Sequence, residues 1–308
     1  MIKTTTRRHF FAAILLALTW LSVPGTASAE LLALTANRTL TADHMGNIRF
    51  DANNITLDCT GHQIVFANNT TGTNCTGSGN GKCGIMVFDR KNITIRNCHV
   101  VGGFAYGILV SKTNTANLIN SSTSGAVIHG TYLATSQNVL VDTYDSMHNG
   151  QNGFQFIDVT SSALRYTWGW ENTRDGFDDG ASAAGTTSGS TGLEFLQGFV
   201  PSQRVEAFGN TLNGFEADFA ATNHVFYPGT VASGNGQHGF SFDDSSALTL
   251  LGVSATGNHR NGLRLQNTDN SVIDSSTFQG NTCDIWENSA STGNQWTNDV
   301  YSTDCNPP

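Results

Sequence analysis

Positive charge is scarce in this chain. Of 308 residues only 15 are Lys or Arg, four of them lysines, against 24 Asp or Glu, for a formal net charge of −9. Nucleic acids and anionic membrane surfaces are held by basic patches, so both are excluded as expected partners. Charge of either sign is thin, at 13% of residues, whereas Gly, Asn, Ser and Thr abound, which suits strands joined by tight turns. No CxxC pair occurs and the histidines are scattered, which argues against a zinc site. After the first 29 residues no apolar run is long enough to span a bilayer, so no membrane insertion is expected.

Residues 1–29 read as an export signal. Arg7 and Arg8 precede an apolar run from Phe10 to Val23, and Ala27-Ser28-Ala29 forms a small-residue cleavage site before Glu30. The segment from Thr6 to Phe11 also resembles the twin-arginine export motif. By either route the expected destination is secreted or periplasmic. Six cysteines in an exported chain read as disulfides. The expected pairs are Cys75 with Cys83 across a glycine-rich loop, Cys59 with Cys98 on neighbouring coils, and Cys283 with Cys305 at the C-terminal end.

The dominant feature is a repeat. Gly84, Gly107, Gly130, Gly153 and Gly176 are spaced by 23 residues, and the beat resumes at Gly214, Gly239 and Gly262. Each glycine opens a short β-rich run, such as Ile108-Leu109-Val110 or Phe240-Ser241-Phe242. Four residues before the later glycines stand Asn149, Asn172, Asn210, Asn235 and Asn258, with Asn281 continuing the series. A fixed period of this length with strand-like runs predicts an all-β solenoid of about ten coils, one elongated domain over residues 30–308. The asparagines fit an internal ladder, each amide bonding its counterpart on the next coil. Residues 30–50 are expected to cap one end and 286–308, with Trp286, Trp296 and Tyr301, the other. Polar loops are expected near 66–82 and 180–192. The chain is expected to be a monomer.

Asn54-Ile-Thr-Leu-Asp58 followed by Gly61-His-Gln-Ile64, together with the Gly/Asn repeats, resembles the entry coil and generic repeat of right-handed parallel β-helix proteins of the pectate-lyase-like superfamily. The resemblance covers roughly residues 48–290. It implies a right-handed parallel β-helix and a polysaccharide partner. The superfamily holds lyases, hydrolases and epimerases as well as non-catalytic proteins, so a binding or scaffold module stays open as the alternative to an enzyme.

A lattice lets residues be placed without coordinates. In the strand after each glycine the first and third residues are apolar and point inward, so the second and fourth point outward, with coils about 4.8 Å apart. The second positions read Met86, Leu109, Tyr132, Gln155, Asp178, Glu216, Ser241 and Arg264; the fourth include Asp218, Asp243 and Gln266. This strip turns from apolar to acidic, and it is expected to face water as a carbohydrate groove. Asp178 and Glu216 on adjacent coils would stand at about the 5 Å used by retaining glycosidases. Alternatively Glu216, Asp218 and Asp243 hold Ca²⁺. Arg264, His238 or Tyr132 would then serve as base, or Arg264 as a clamp for a substrate carboxylate. Gln155, Asp175, Ser241 and Gln266 are the expected substrate contacts.

Asp179 is anomalous, because it occupies an inward position where an unpaired carboxylate is not tolerated. Either the strand ends at Asp178, or Asp179 is a ligand or catalytic acid. Asp178-Asp179 is reminiscent of the paired aspartates of polygalacturonase-type hydrolases, and Gln237-His238-Gly239 loosely resembles their Gly-His-Gly element. The aspartate-proline-histidine-aspartate signature of alginate epimerases is absent. Residues just before each glycine, among them His129, Asn152, Asp175, Asn213 and His238, read as turn residues. Trp168 and Trp170 flank Gly169: buried, they fill the corner of a coil, which is the expectation, and exposed, they would stack on sugar rings.

Overall fold

The computed structural model describes residues 30–67, 75, 82–180, 190–196, 204–218 and 220–305. The expected export signal and most of the two expected loops lie outside these residues. Among the described residues there are 29 strands and no helix. All paired strands are parallel, each bonded to its counterpart one turn away, so the chain winds as a β-solenoid of about ten turns.

Each turn has three walls. The first carries the glycine strands, including Tyr106–Ser111, His129–Ala134, Phe154–Ile157, Phe177–Asp179, Phe215–Ala217, Phe240–Asp243 and Asn261–Gln266. The second and third walls are made in the middle turns by long strands that bend, Asn114–Ser124, Gln137–Met147 and Thr160–Trp170. The bend falls at Asn120, Thr143 and Tyr166, whose φ values of 46°, 55° and 51° place a single left-handed residue at each corner.

The repeated glycines are required by close approach. A Cβ at Gly176 would lie 2.8 Å from the Gly214 carbonyl oxygen and 2.9 Å from Asn210 Nδ2. At Gly239 it would lie 2.7 Å from Gly262 O and 2.8 Å from Asn258 Nδ2. The glycine column and the asparagine ladder are therefore one device: the amide fills the space a side chain would need. The ladder runs as expected. Asn172 donates to Asn210 Oδ1 at 3.0 Å, Asn210 to Asn235 at 3.0 Å and Asn235 to Asn258 at 2.9 Å.

The interior is a stack of phenylalanines. Phe154, Phe177, Phe215 and Phe240 are stacked with ring centroids 4.8–4.9 Å apart and nearly parallel planes. The disulfides pair Cys59 with Cys98, Cys75 with Cys83 and Cys283 with Cys305. Both ends stay in register. Glu30–Leu34 already pairs with Gly46–Phe50, and Val300–Tyr301 still pairs with Thr277 and Phe278, so Trp286, Trp296 and Tyr301 continue the walls.

Candidate active site on the first wall

The outward column of the first wall is the one read from the repeat. Met86, Leu109, Tyr132, Gln155, Asp178, Glu216, Ser241 and Arg264 are successive register partners. Its exposure is not as expected. Met86 and Leu109 are buried with Cys75, Cys83 and Tyr106 in a satellite cluster outside the wall, so its apolar end is covered rather than wet. Gln155 and Ser241 are also buried, which corrects their assignment as substrate contacts. Gln155 Nε2 instead donates to the Gly180 carbonyl at 2.7 Å, and Ser241 Oγ accepts from Arg264 at 3.1 Å.

Asp178 and Asp179 point to opposite sides of the wall. Asp178 accepts from Asn152 Nδ2 at 2.6 Å on the outer side. Asp179 faces the core, where His224 Nε2 donates to it at 2.6 Å and the Ser190 amide at 3.1 Å. His224 is fully buried, and its Nδ1 accepts the Leu193 amide at 3.3 Å, which places the ring proton on Nε2. A side chain enclosed among core phenylalanines cannot reach an external substrate. Asp179 is therefore not part of the groove, and its assignment as a catalytic acid is corrected on that ground.

The residues before the glycines form a second ladder. Each side chain accepts the backbone N–H of its counterpart on the next coil. Asn152 N–H bonds His129 Nδ1 at 3.4 Å, Asp175 N–H bonds Asn152 Oδ1 at 3.2 Å, and Asn213 N–H bonds Asp175 Oδ1 at 2.8 Å. His238 N–H bonds Asn213 Oδ1 at 3.2 Å, and Asn261 N–H bonds His238 Nδ1 at 3.3 Å. One acceptor atom per rung is all this ladder uses. Asp175 supplies a second oxygen, Oδ2, which is buried and without a hydrogen-bond donor. The nearest cation, Arg174 Nε, is 3.8 Å away, beyond hydrogen-bond reach.

Asp175 also belongs to a cluster of acids. Ligand atoms of Asp175, Asp178 and Glu216 all lie within 4.8 Å of one another. Asp175 and Asp178 are buried, while Glu216 and Asp218 are half-buried. Burial, and then the Glu216 charge, hold the Asp175 and Asp178 carboxyls well above the usual carboxylate range. Burial together with Glu216 and Asp243 pushes Asp218 up to about 8. Among the described residues the carboxylates close enough to share an ion are those of Asp175, Asp178 and Glu216, rather than the expected set of Glu216, Asp218 and Asp243. Asp243 turns instead toward Arg264, whose Nη2 lies 3.7 Å from its Oδ2.

The expected bases fare differently. Burial pushes Tyr132 up to about 12, which holds the phenol protonated at ordinary pH. It stacks on Tyr106 at 4.8 Å. Burial lowers His238 to about 4, so its ring is neutral at ordinary pH. Because Nδ1 accepts the Asn261 amide, its proton sits on Nε2, and it is a hydrogen-bond donor. Arg264 is half-buried over Trp286, 5.6 Å from the ring centroid, and bonded to Gln266 and Ser241. It offers donors only, as a clamp would. His224, Asn152 and Asn213 were missed by the sequence reading. Only Asp175 left a signal, as the one carboxylate in a column of Tyr, Asn and His.

Residues 37–145 and 68–190 match the right-handed β-helix region family. The chain belongs to that family. Residues 199–302 also match a periplasmic copper-binding protein, NosD. No curated protein matches. Among solved structures, the A-module of mannuronan C-5 epimerase AlgE6 of Azotobacter vinelandii superposes with a TM-score of 0.63 at 15% identity, covering 90% of this chain and 83% of that one. The periplasmic alginate epimerase AlgG superposes with a TM-score of 0.62 at 12% identity, covering 88% and 76%. At these identities the likeness is one of fold.

Proposed function

We propose that this right-handed β-helix protein works outside the cytoplasm on an acidic polysaccharide laid along the first wall, and that it modifies the polymer at the Asp175, Asp178 and Glu216 cluster. The observation that carries the reading is Asp175. Its ladder bond needs one oxygen, which an asparagine would supply, yet the position holds a carboxylate with a second, unbonded oxygen, in a cluster with two other acids. Three clustered carboxylates cannot all ionise without a counter-charge. A hard cation fits them, since all the donors are oxygens, as Ca²⁺ prefers.

The residues suit such an ion and no softer one. Among the described residues this is the one group of three or more His, Cys, Asp or Glu within ligating distance. It contains neither imidazole nor thiolate, so the copper binding named for NosD finds no ligand set here. When bound, Ca²⁺ would offset the like charges and neutralise a sugar carboxylate. The chain's own groups then divide the work. Arg264 clamps an anionic substituent and His238 Nε2–H donates to a ring or hydroxyl oxygen. The half-buried Glu216 carboxylate takes the C5 proton, and Asp218, protonated near neutral pH, gives a proton to the leaving oxygen in elimination or to the opposite face of C5 in epimerisation.

Two further facts support the reading. Three disulfides suit an oxidising compartment outside the cytoplasm. Mannuronan and alginate, named for the structural neighbours, are acidic polymers, although the aspartate-proline-histidine-aspartate signature is missing. The test is turnover on polyuronates and neutral polysaccharides, with Ca²⁺ and with chelator. The readouts are ultraviolet absorbance of unsaturated ends, reducing ends, and exchange of the C5 proton. Ca²⁺-dependent absorbance or proton exchange on a polyuronate supports the proposal. Reducing ends that ignore chelator would instead favour a hydrolase using the Asp178 and Glu216 pair at about 5 Å. Silence on every readout would favour a non-catalytic binding module.

A further inference from the structure

A second groove lies on the third wall, on the same turns that carry Asp178 and Glu216. Asp145, Trp168 and Glu206 are register partners in one outward column, and Met147, Trp170 and Phe208 in the next. Trp168 and Trp170 alternate with Gly169 on one strand, so both indoles leave the core on the same side. Both are half-buried, contrary to the expectation that they fill a corner. Gly169 points inward, where a Cβ would lie 2.7 Å from the Gly176 carbonyl, so the strand sits flush on the core beneath them.

The groove encloses about 390 Å³ and is lined by Asp145, Trp168, Trp170, Glu206 and Phe208. Its members are fixed. Trp168 Nε1 donates to Glu206 Oε2 at 3.1 Å, and Glu206 is ion-paired with Arg204. Trp170 stacks on Phe208 with centroids 5.4 Å apart and planes 10° from parallel, and the His148 ring meets its edge at 4.9 Å. Asp145 differs from these. Its carboxylate accepts no hydrogen bond from the described residues, and burial raises its pKa.

We propose that this groove is a second, non-catalytic carbohydrate site that takes a neutral, hydroxyl-rich pyranose unit of a polysaccharide. The chemistry selects that occupant. Indole offers a large apolar body that packs on the C–H face of a sugar ring, and locked aromatic rings lose little entropy on binding. The Asp145 carboxylate is an acceptor without a donor, which a sugar hydroxyl supplies. Asp145 and Glu206 repel uronic acids, the described lining residues include no cation, and the adjacent Arg204 is already paired with Glu206. The site needs nothing from the first wall, so it stands or falls apart from the chemistry proposed there.

The test is affinity electrophoresis of the full chain in gels containing β-glucan, xylan, glucomannan, galactan, α-glucan or a polyuronate. At least one neutral polymer should retard the protein, and the polyuronate should not do so through this groove. Trp168→Ala and Trp170→Ala should each weaken retardation by about tenfold, as loss of an aromatic contact implies. Glu216→Gln should leave it unchanged. Melting curves and the milder Trp170→Phe variant, which should keep part of the affinity, separate lost binding from lost folding. A panel with no retardation overturns the proposal. So does retardation that survives both alanine variants, or tryptophan fluorescence that responds to tetramethylammonium and to no sugar.

Discussion

Asp178 and Asp179 are neighbours in sequence, yet Asp178 accepts from Asn152 outside the first wall while Asp179 is locked to His224 inside it, 2.6 Å away. One step along a strand turns a side chain to the other face. A pair that looks like a catalytic dyad is thereby split into a site residue and a core residue.

The two aspartates should therefore fail differently. His224→Ala leaves a buried carboxylate without its partner and should cost about 3–5 kcal/mol in urea melts. Replacing the pair together, Asp179→Leu with His224→Phe, should recover most of that loss, because replacing both partners of a buried hydrogen bond by apolar groups of similar shape is nearly neutral. Asp178→Asn should cost far less, since its hydrogen bonds lie at the outer surface of the wall. If His224→Ala melted like the wild-type protein, the buried pair would not be part of the folded core.

Stability should fall as pH rises through the neutral range. Asp175, Asp178 and Asp218 all have folded pKa values above the unfolded ones, with Asp218 at about 8. Folded protein then binds more protons than unfolded chain, and stability declines from near pH 4 up to near 8. His129 and His238, lowered to about 3 and about 4, act in the opposite sense, but only below the ordinary histidine pKa of about 6.5. Between about 6.5 and 8 the carboxylates act alone, so Tm in chelator should drop across that interval. Asp218→Asn should flatten the drop, and Ca²⁺ should oppose it. A Tm that rose between pH 6.5 and 8 in chelator would contradict the raised carboxyls.

The ladder should be most costly to break at its middle. Asn210 accepts from both the backbone and the side-chain nitrogen of Asn172, at 3.1 and 3.0 Å. Asn210→Ala strands two buried donors, at about 1–3 kcal/mol each. Asn281 is only half-buried at the open end of the series, so Asn281→Ala should cost less. Equal losses at the two positions would mean that burial does not set the cost.

Much of this was legible from the repeat. A constant interval between glycines fixes register, and register named the column from Met86 to Arg264 and the disulfides Cys59–Cys98 and Cys283–Cys305; the local bridge Cys75–Cys83 was read from the loop between its cysteines. The coupling of glycine to asparagine needed coordinates, because it is a clash between backbones on successive coils. Burial was not legible either. The strip beside Leu109 is covered by Cys75 and Tyr106, and nothing periodic marks such cover. The partner of Asp179 was invisible for the same reason, since His224 lies 45 residues away on another wall. Asp175 was read as a substrate contact; its grouping with Asp178 and Glu216 was not, although it is a carboxylate in a ladder that elsewhere uses neutral acceptors.

The most direct measurement is calorimetric titration of Ca²⁺ into the wild-type protein and into Asp175→Asn, with melting curves for both in chelator. Asparagine keeps the acceptor that Asn213 N–H needs and removes only the orphan oxygen and its charge. The wild-type protein should bind one Ca²⁺ and gain Tm with it, by about 2.7 kcal/mol of stability at a hundredfold excess over Kd. Asp175→Asn should lose at least tenfold in affinity while melting in chelator at or above the wild-type temperature. A wild-type protein that takes up no Ca²⁺, or a variant that binds it equally well, would contradict the assignment of Asp175, Asp178 and Glu216 as a cation site.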